Sequence, residues 1–378
     1  MRALAKKTLQ GNASGNCGSQ LVISHGLLGS STNWMTVARH LGKQELLRPR
    51  LKEIHMLDMR NHGESPHFDV HTNAAMSSDI ELFILQQQQQ WKAEAGDRHE
   101  DEDEAGIVLM GHSMGGFAVM GSMLRRANEG ALLLQSGIEG LKRRCERGDY
   151  YGWVDAQGNA EEMRTVNRLM DLPELQHLHD TLYDCGGVRI RTPRVKAAII
   201  VDIAPSTTLG TRKQYGQSPD EALSAMMAVD LSRVHTLSDG NVELERAGVA
   251  SKAMRDFLLT NLRVNSQSKT AQWRCNLPVL HSDYELIALG VRDWFLSAEE
   301  AGGSRGECEM VAPIKSSLPT LFVFGKDSPY NTTEDRRLIP RFFSNVEEVE
   351  VEGSGHFVHY EKMQEFVNII TPFLARYL

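Results

Sequence analysis

The chain has 378 residues, 41% of them hydrophobic, and a formal net charge of −8. A chain this long buries roughly 75% of its unfolded surface, so one large α/β domain with an inserted cap, or two domains, are the counts it allows. The acidic balance argues against a nucleic-acid partner, because phosphate binding needs a basic field. No run of about 18 apolar residues marks a transmembrane helix. Five scattered cysteines without a C-x-x-C spacing argue against a disulfide framework or a zinc site and for a reducing, intracellular compartment, cytoplasmic or mitochondrial.

In chain order, the opening MRALAKKTLQ is basic, and Glu45 is the first acid. It suits a transit peptide or, through LAKKTL, a first strand. Six short apolar runs follow: QLVISHG (20–26), EIHMLDMR (53–60), GIVLMGHS (106–113), KAAIIVDIAPS (196–206), PTLFVFGKDS (319–328) and VEEVEVEGSGH (346–356). Runs of this length suit strands buried on both faces of a parallel sheet. Helical patterns lie between several of them, at 76–91 with Ile80, Phe83 and Ile84 on one face, and at 114–127. Strand–helix alternation predicts a mostly parallel central sheet flanked by helices, formed by a single domain over 1–378.

Three stretches break this rhythm. Residues 86–106, QQQQQ and then an acidic run, predict a solvated loop. Residues 135–194 are charged and predict an insertion of short helices, and 297–310 is Gly-rich. Residues 219–296 show apolar spacings of three and four. They predict that 207–310 forms a helical cap over the strand ends, with a separate helical domain as the alternative. Met226, Met227, Phe257 and Leu258 in this block are candidates for an apolar acyl pocket or for plain core.

The chemistry is concentrated in four places. Gly111-His112-Ser113-Met114-Gly115 matches G-x-S-x-G between an apolar strand and a helix, the context of a nucleophile elbow. A side chain at Gly111 or Gly115 would clash in that turn, and the helix N-terminus faces the forming oxyanion. His25-Gly26-Leu27-Leu28-Gly29 ends the first core strand and suits the loop that supplies one oxyanion N–H, from Leu27, with Met114 supplying the other. A serine hydroxyl needs a base, and His356, on the Gly-rich loop after the last strand, is placed to act as one. His359 is the competitor, expected as a surface residue at the start of the last helix. A carboxylate must orient the imidazole. Asp202 and Asp327 both end strands and both satisfy the order Ser, Asp, His. The polar stretch Asp58–Ser65 is expected to be a structural loop tying strand ends together.

The set HGLLGS, DMRNHGESP, GHSMGG, VDIAPS, FLLTNL (257–262), WRCNL (273–277) and GSGHFVH resembles the abhydrolase-domain-containing protein eleven subfamily of α/β-hydrolases, which includes small bacterial short-acyl esterases. The matches run in blocks along nearly the whole chain. FLLTNL and WRCNL are the most telling because they fall in the cap. The resemblance implies the α/β-hydrolase fold with Ser113, Asp202 and His356 as a triad. It gives asparagine where this chain has Asp327, which leaves Asp327 as the alternative acid. The stretches 86–106 and 135–194 depart from the family pattern. The expected activity is cleavage of a small-molecule carboxylic ester or thioester through an acyl-enzyme on Ser113, without metal or organic cofactor. An acyltransferase using the same residues, or a non-catalytic binding protein on the same fold, are the alternatives.

Overall fold

A computed structural model describes residues 3–11, 18–95, 106–127, 195–206, 208, 212–265, 267–291 and 315–378. The expected insertion at 135–194 and the Gly-rich stretch at 297–310 lie outside the described residues. Seven strands form the main sheet: β1 (Lys6–Gln10), β2 (Ser19–Ser24), β3 (Leu51–Leu57), β4 (Ile107–His112), β5 (Val195–Val201), β8 (Thr320–Gly325) and β9 (Val346–Val351), in the order β1-β3-β2-β4-β5-β8-β9. β1 pairs antiparallel with β3, and every other pair is parallel. Each of the six apolar runs thus contains a strand, and LAKKTL supplies the antiparallel edge. β9 is the far edge. Its VEEVEV sequence mixes valine with glutamate, and only Val351 is fully buried, as suits a strand with one neighbour.

The period of two divides the core between the sheet's faces. Val22, Leu109, Ala198 and Ile200 join one apolar cluster with Ile80, Phe83, Phe117 and Met120. These last four come from α2 (Asn73–Ala95) and α3 (Met114–Ala127). Leu21, Ile23, Met110, Ile199 and Val201 join the other with Trp34, Val37, Leu41, Phe366 and Ile370, supplied mostly by α1 (Met35–Leu41) and by the C-terminal helix at Met363–Tyr377. The result is three layers, helix on sheet on helix. The glutamine run belongs to α2, which continues to Ala95, so the expected loop at 86–106 is helical over its first ten residues. Glutamine is a good helix former, and the register set by Ile80, Phe83 and Ile84 carries straight on. Residues 96–105 lie outside the described set.

The cap has its own core. Leu223, Met226, Val234, Leu244, Met254, Leu258, Leu262, Leu277 and Leu280 pack together on α4 (Pro219–Ala228), α5 (Leu237–Arg246), α6 (Lys252–Leu259) and the chain that follows. Polar caps start these helices. Ser218 and Glu221 form a capping box before Pro219, Thr236 and Asp239 form a second, and Ser251 accepts from the Met254 amide. The mostly helical expectation for 219–296 misses a two-stranded hairpin, β6 (Leu262–Asn265) with β7 (Thr270–Trp273). Its Val264, Thr270 and Trp273 are strand formers, and Lys269 turns with a positive φ of 52°. The hairpin is too short to leave a periodic signal. Among the described residues no helix is long and apolar enough to cross a membrane.

The polar stretch after β3 is a structural loop, as expected. Asp58 accepts from the Ser31 and Glu64 amides at 2.6 and 3.0 Å, and Arg60 makes a buried two-bond pair with Asp79 of α2 at 2.6 and 2.9 Å. Breaking a buried pair strands the remaining charge, so Asp79→Ala should lower unfolding free energy by about 3–5 kcal/mol. Lys252→Ala, which removes the exposed pair to Asp256, should change it by about 0.5 kcal/mol or less. Urea denaturation of the two variants checks both values.

Candidate active site

The functional side chains converge at the carboxyl ends of the central parallel strands, where open α/β sheets place their sites. β2 runs into the Gly26–Gly29 turn, β4 into Ser113, β5 into Asp202, and the loop after β9 carries His356. Ser113 and Asp202 occupy consecutive places across the sheet. The Ser113 amide donates to Val201 O at 3.0 Å, and the Asp202 amide donates to Val323 O at 2.8 Å. The ladder therefore continues one residue past each strand and fixes where both residues leave it.

The turn at Ser113 is as tight as its sequence requires. Ser113 has φ 52°, a left-handed value costly for a non-glycine residue. A Cβ on Gly111 would lie 2.3 Å from the Gly115 carbonyl oxygen, and one on Gly115 would lie 2.5 Å from the Ser24 carbonyl oxygen. These contacts force glycine at both positions. α3 starts at Met114, the next residue.

The Gly26–Gly29 turn is closed by the Gly29 amide donating to Gly26 O at 2.9 Å. Leu28 stands third in that turn with φ 60°, where glycine is usual. The strain, about 1–3 kcal/mol for such a residue, is opposed by burying the Leu28 side chain among the cap residues Leu223, Met254 and Leu258. The Leu28 amide donates to His62 Nε2 at 3.1 Å, so it is occupied. The Leu27 and Met114 amides donate to no other described residue.

His356 Nδ1 lies 2.6 Å from Asp202 Oδ2. Asp202 is fully buried and is surrounded by donors. Gly325 N–H donates to Oδ1 at 2.7 Å, and the Ser328 hydroxyl donates to Oδ2. Burial pushes the Asp202 carboxyl well up, while these two donors pull it back toward the anion. Burial drives the His356 imidazole down to about 3, so it rests neutral, the form able to accept a proton. Asp327 is the residue before Ser328. Its side chain is exposed and its amide donates to Ser354 O. His356 therefore pairs with Asp202 and not with Asp327.

The loop carrying His356 is held from both sides. His112, inside the elbow motif, lies with Nε2 2.9 Å from His356 O. Tyr330 packs its ring on the imidazole at 4.3 Å between centroids. From the cap, the Tyr215 hydroxyl donates to Glu361 Oε1 at 2.8 Å, and Glu361 Oε2 accepts from the Gly355 amide at 2.6 Å. Burial and the Glu361 carboxylate push the Tyr215 phenol up to about 12, so it remains a donor. Neither Glu361 nor His112 was singled out from the sequence. GSGHFVHYE and GHS carry them, but nothing in the residue types signals their bonds.

A cavity of about 470 Å³ opens onto this site. Ser113, His356 and the Gly26–Gly29 turn line it together with Phe257, Leu258, Met254 and Phe357. Phe257 and Leu258 thus face the cavity as expected. Met226 and Met227 do not: Met226 is buried in the cap core and Met227 is 48% exposed. His359 also departs from expectation. It is buried, stacks on Trp34 at 4.1 Å and lines the cavity, because its short helix, Val358–Glu361, turns that side chain inward. No group of three or more metal-ligating side chains occurs among the described residues.

The strand order and the flanking helices are those of the α/β-hydrolase fold. Residues 21–193 match a model described as "Alpha/beta hydrolase family". The chain resembles the ABHD11 proteins. It is 27% identical over 363 residues to the Xenopus laevis "sn-1-specific diacylglycerol lipase ABHD11", covering 94% of this chain and 80% of that protein. It is 25% identical to a "Probable alcohol acetyltransferase" of Saccharomyces cerevisiae, covering 94% and 77%. Among solved structures, the "Marine microorganism esterase" superposes with a TM-score of 0.61 at 21% identity, covering 99% of this chain and all of that one, which speaks for the fold.

His25, His55, His62, His71, His112, His356 and His359 are all buried, and burial lowers the pKa of each. An unfolded chain protonates these imidazoles below about pH 6.5, whereas the folded chain does not, so the unfolded state binds more protons and stability falls as pH falls. Asp202, whose pKa is raised, runs the other way but is one group against seven. The unfolding free energy from urea denaturation should decline from about pH 6.5 to pH 5, by up to about 1.4 kcal/mol per pH unit for each histidine. A flat profile would show that these side chains are not buried neutral.

Proposed function

We propose that the protein hydrolyses carboxylic esters through an acyl-enzyme on Ser113. The observation that carries this reading is the 2.6 Å contact between His356 Nδ1 and Asp202 Oδ2 in a cavity that His356 shares with Ser113. With Nδ1 engaged, Nε2 is left to take the serine proton. The Ser113 oxygen attacks the acyl carbon, and the carbonyl electron pair moves onto oxygen. The Leu27 and Met114 amides, which donate to no acceptor among the described residues, receive that charge. The tetrahedral adduct collapses, and His356 returns the proton to the departing alcohol. Water then repeats the sequence on the acyl-enzyme, releasing the acid and restoring Ser113. Asp202 holds the imidazole in the tautomer this requires. Leu258, Met254, Phe257 and Phe357 on the cavity wall suit an apolar acyl group, in keeping with the diacylglycerol lipase relative. A thioester would pass through the same steps.

The yeast relative's name favours a second reading, in which an alcohol takes the place of water and the product is a new ester. Gas-chromatographic analysis of products with and without added ethanol separates transfer from hydrolysis. A binding protein without catalysis is tested by a fluorophosphonate probe. Wild type should be labelled and Ser113→Ala should not, and equal labelling of the two would overturn the catalytic reading. For the acid, Asp202→Asn should reduce kcat by about 10³–10⁴-fold, the order of effect seen when a triad loses the carboxylate that fixes its tautomer, and Asp327→Asn should leave kcat near wild type. The reverse pattern would move the role to Asp327.

A further inference from the structure

We propose that Asn261 of the cap is a positioning residue for the oxyanion hole, fixing the turn that aims the Leu27 amide. The inference rests on the ester-hydrolase reading above.

The turn cannot hold its shape by local bonding alone. One backbone bond, Gly29 N–H to Gly26 O, closes it, while Leu28 sits at φ 60°, a conformation that leucine leaves unless something outside the turn opposes it. Both peptides flanking the Leu28 Cα are gripped from outside. On the amino side, the Leu28 amide donates to His62 Nε2 at 3.1 Å, from the loop after β3. On the carboxyl side, Asn261 Nδ2 donates to Leu28 O at 2.6 Å, and no other described side chain donates to that oxygen. Rotation at Leu28 toward negative φ would break one grip or the other. It would also carry the adjoining Leu27 away from the elbow, separating the two amides that must face one oxyanion.

Asn261 is built to hold its position. It is buried, its amide donates to Leu258 O at 3.0 Å at the end of α6, and its carbonyl accepts from the Arg274 amide at 2.7 Å just beyond β7. The hairpin β6–β7 therefore locks the asparagine between two cap elements. The Leu28 side chain is packed in the core of the same cap. The cap thus contributes to the oxyanion-hole geometry through one hydrogen bond and one buried side chain, as well as walling the cavity. This gives the FLLTNL segment a chemical role.

Asn261→Asp keeps the size of the side chain and removes the amide donor. The experiment compares it with wild type for kcat and KM on a p-nitrophenyl ester, for affinity toward an alkyl boronic acid that forms a tetrahedral adduct on serine, and for affinity toward an unreactive amide analogue. The expected result is a kcat loss of about 10–100-fold, a part of the ~10²–10³-fold that complete loss of one oxyanion donor costs. Boronate affinity should fall in parallel, while KM and amide affinity stay within about threefold. A role confined to cap folding would lower the melting temperature and all the readouts together. That result, or an unchanged kcat, would overturn the inference. Should Asn261→Asp fail to fold, Asn261→Ser, which removes the amide donor without adding charge, is read in the same way. If wild type is inert, or Ser113→Ala keeps full turnover, the ester-hydrolase reading fails. If wild type is active and Asn261→Asp equals it, only the role of Asn261 fails.

Discussion

The contact between His356 Nδ1 and Asp202 Oδ2 joins residues 154 positions apart, and the architecture is arranged so that they meet. Asp202 leaves β5 at a left-handed backbone position with its amide still in the ladder. Its side chain is fully buried, so each oxygen needs a protein donor. Gly325 at the end of β8, Ser328 in the loop that follows it and His356 in the loop after β9 supply them. A shift in the register of any of the three strands would leave a buried carboxyl without partners, which costs far more than losing one exposed hydrogen bond. Strand pairing and site geometry are thus one constraint. The parallel ladder that buries Ile199, Ile200 and Val201 also sets where Ser113 and Asp202 leave the sheet.

Much of this was legible in the sequence because its physics is local. Apolar runs bounded by turns locate buried strands, and Gly111 and Gly115 around Ser113 announce a turn that admits no side chain. The choice between Asp202 and Asp327 was not local. Both end strands in the same chain order, and they differ in which way the chain turns afterwards: Ser328 turns inward to donate to Asp202, while Asp327 faces solvent. The glutamine run falls both in the helical pattern at 76–91 and in the loop expected from 86 onward, and the helix continues through it to Ala95. His359 is expected at the surface because a histidine at a helix start usually faces solvent, and only the direction of the short helix Val358–Glu361 turns it inward. The hairpin in the cap escaped because four-residue strands carry too few periods to register.

The cap is stitched to the loops that carry the candidate site. Asn261 reaches the Gly26–Gly29 turn, Tyr215 reaches the His356 loop through Glu361, and Asn276 bonds to the loop after β3 at Asn61 O and Phe68 O. Those bonds come from FLLTNL, WRCNL and the segment before α4. His62 joins the same network from below, so the turn at Leu28 is held between cap and sheet. The strain at Leu28 and Ser113 is sustained by this packing, in the way strained backbone at functional sites generally persists.

Ester cleavage through a covalent bond to the Ser113 hydroxyl leaves a trace that rapid acid quenching with an activated ester, followed by peptide mass spectrometry, would detect. The expected result is a transient mass increase equal to the acyl group on the peptide containing Ser113, appearing and decaying within the time of turnover. Steady hydrolysis with that peptide unmodified throughout, or with the acyl group on a different residue, would contradict it.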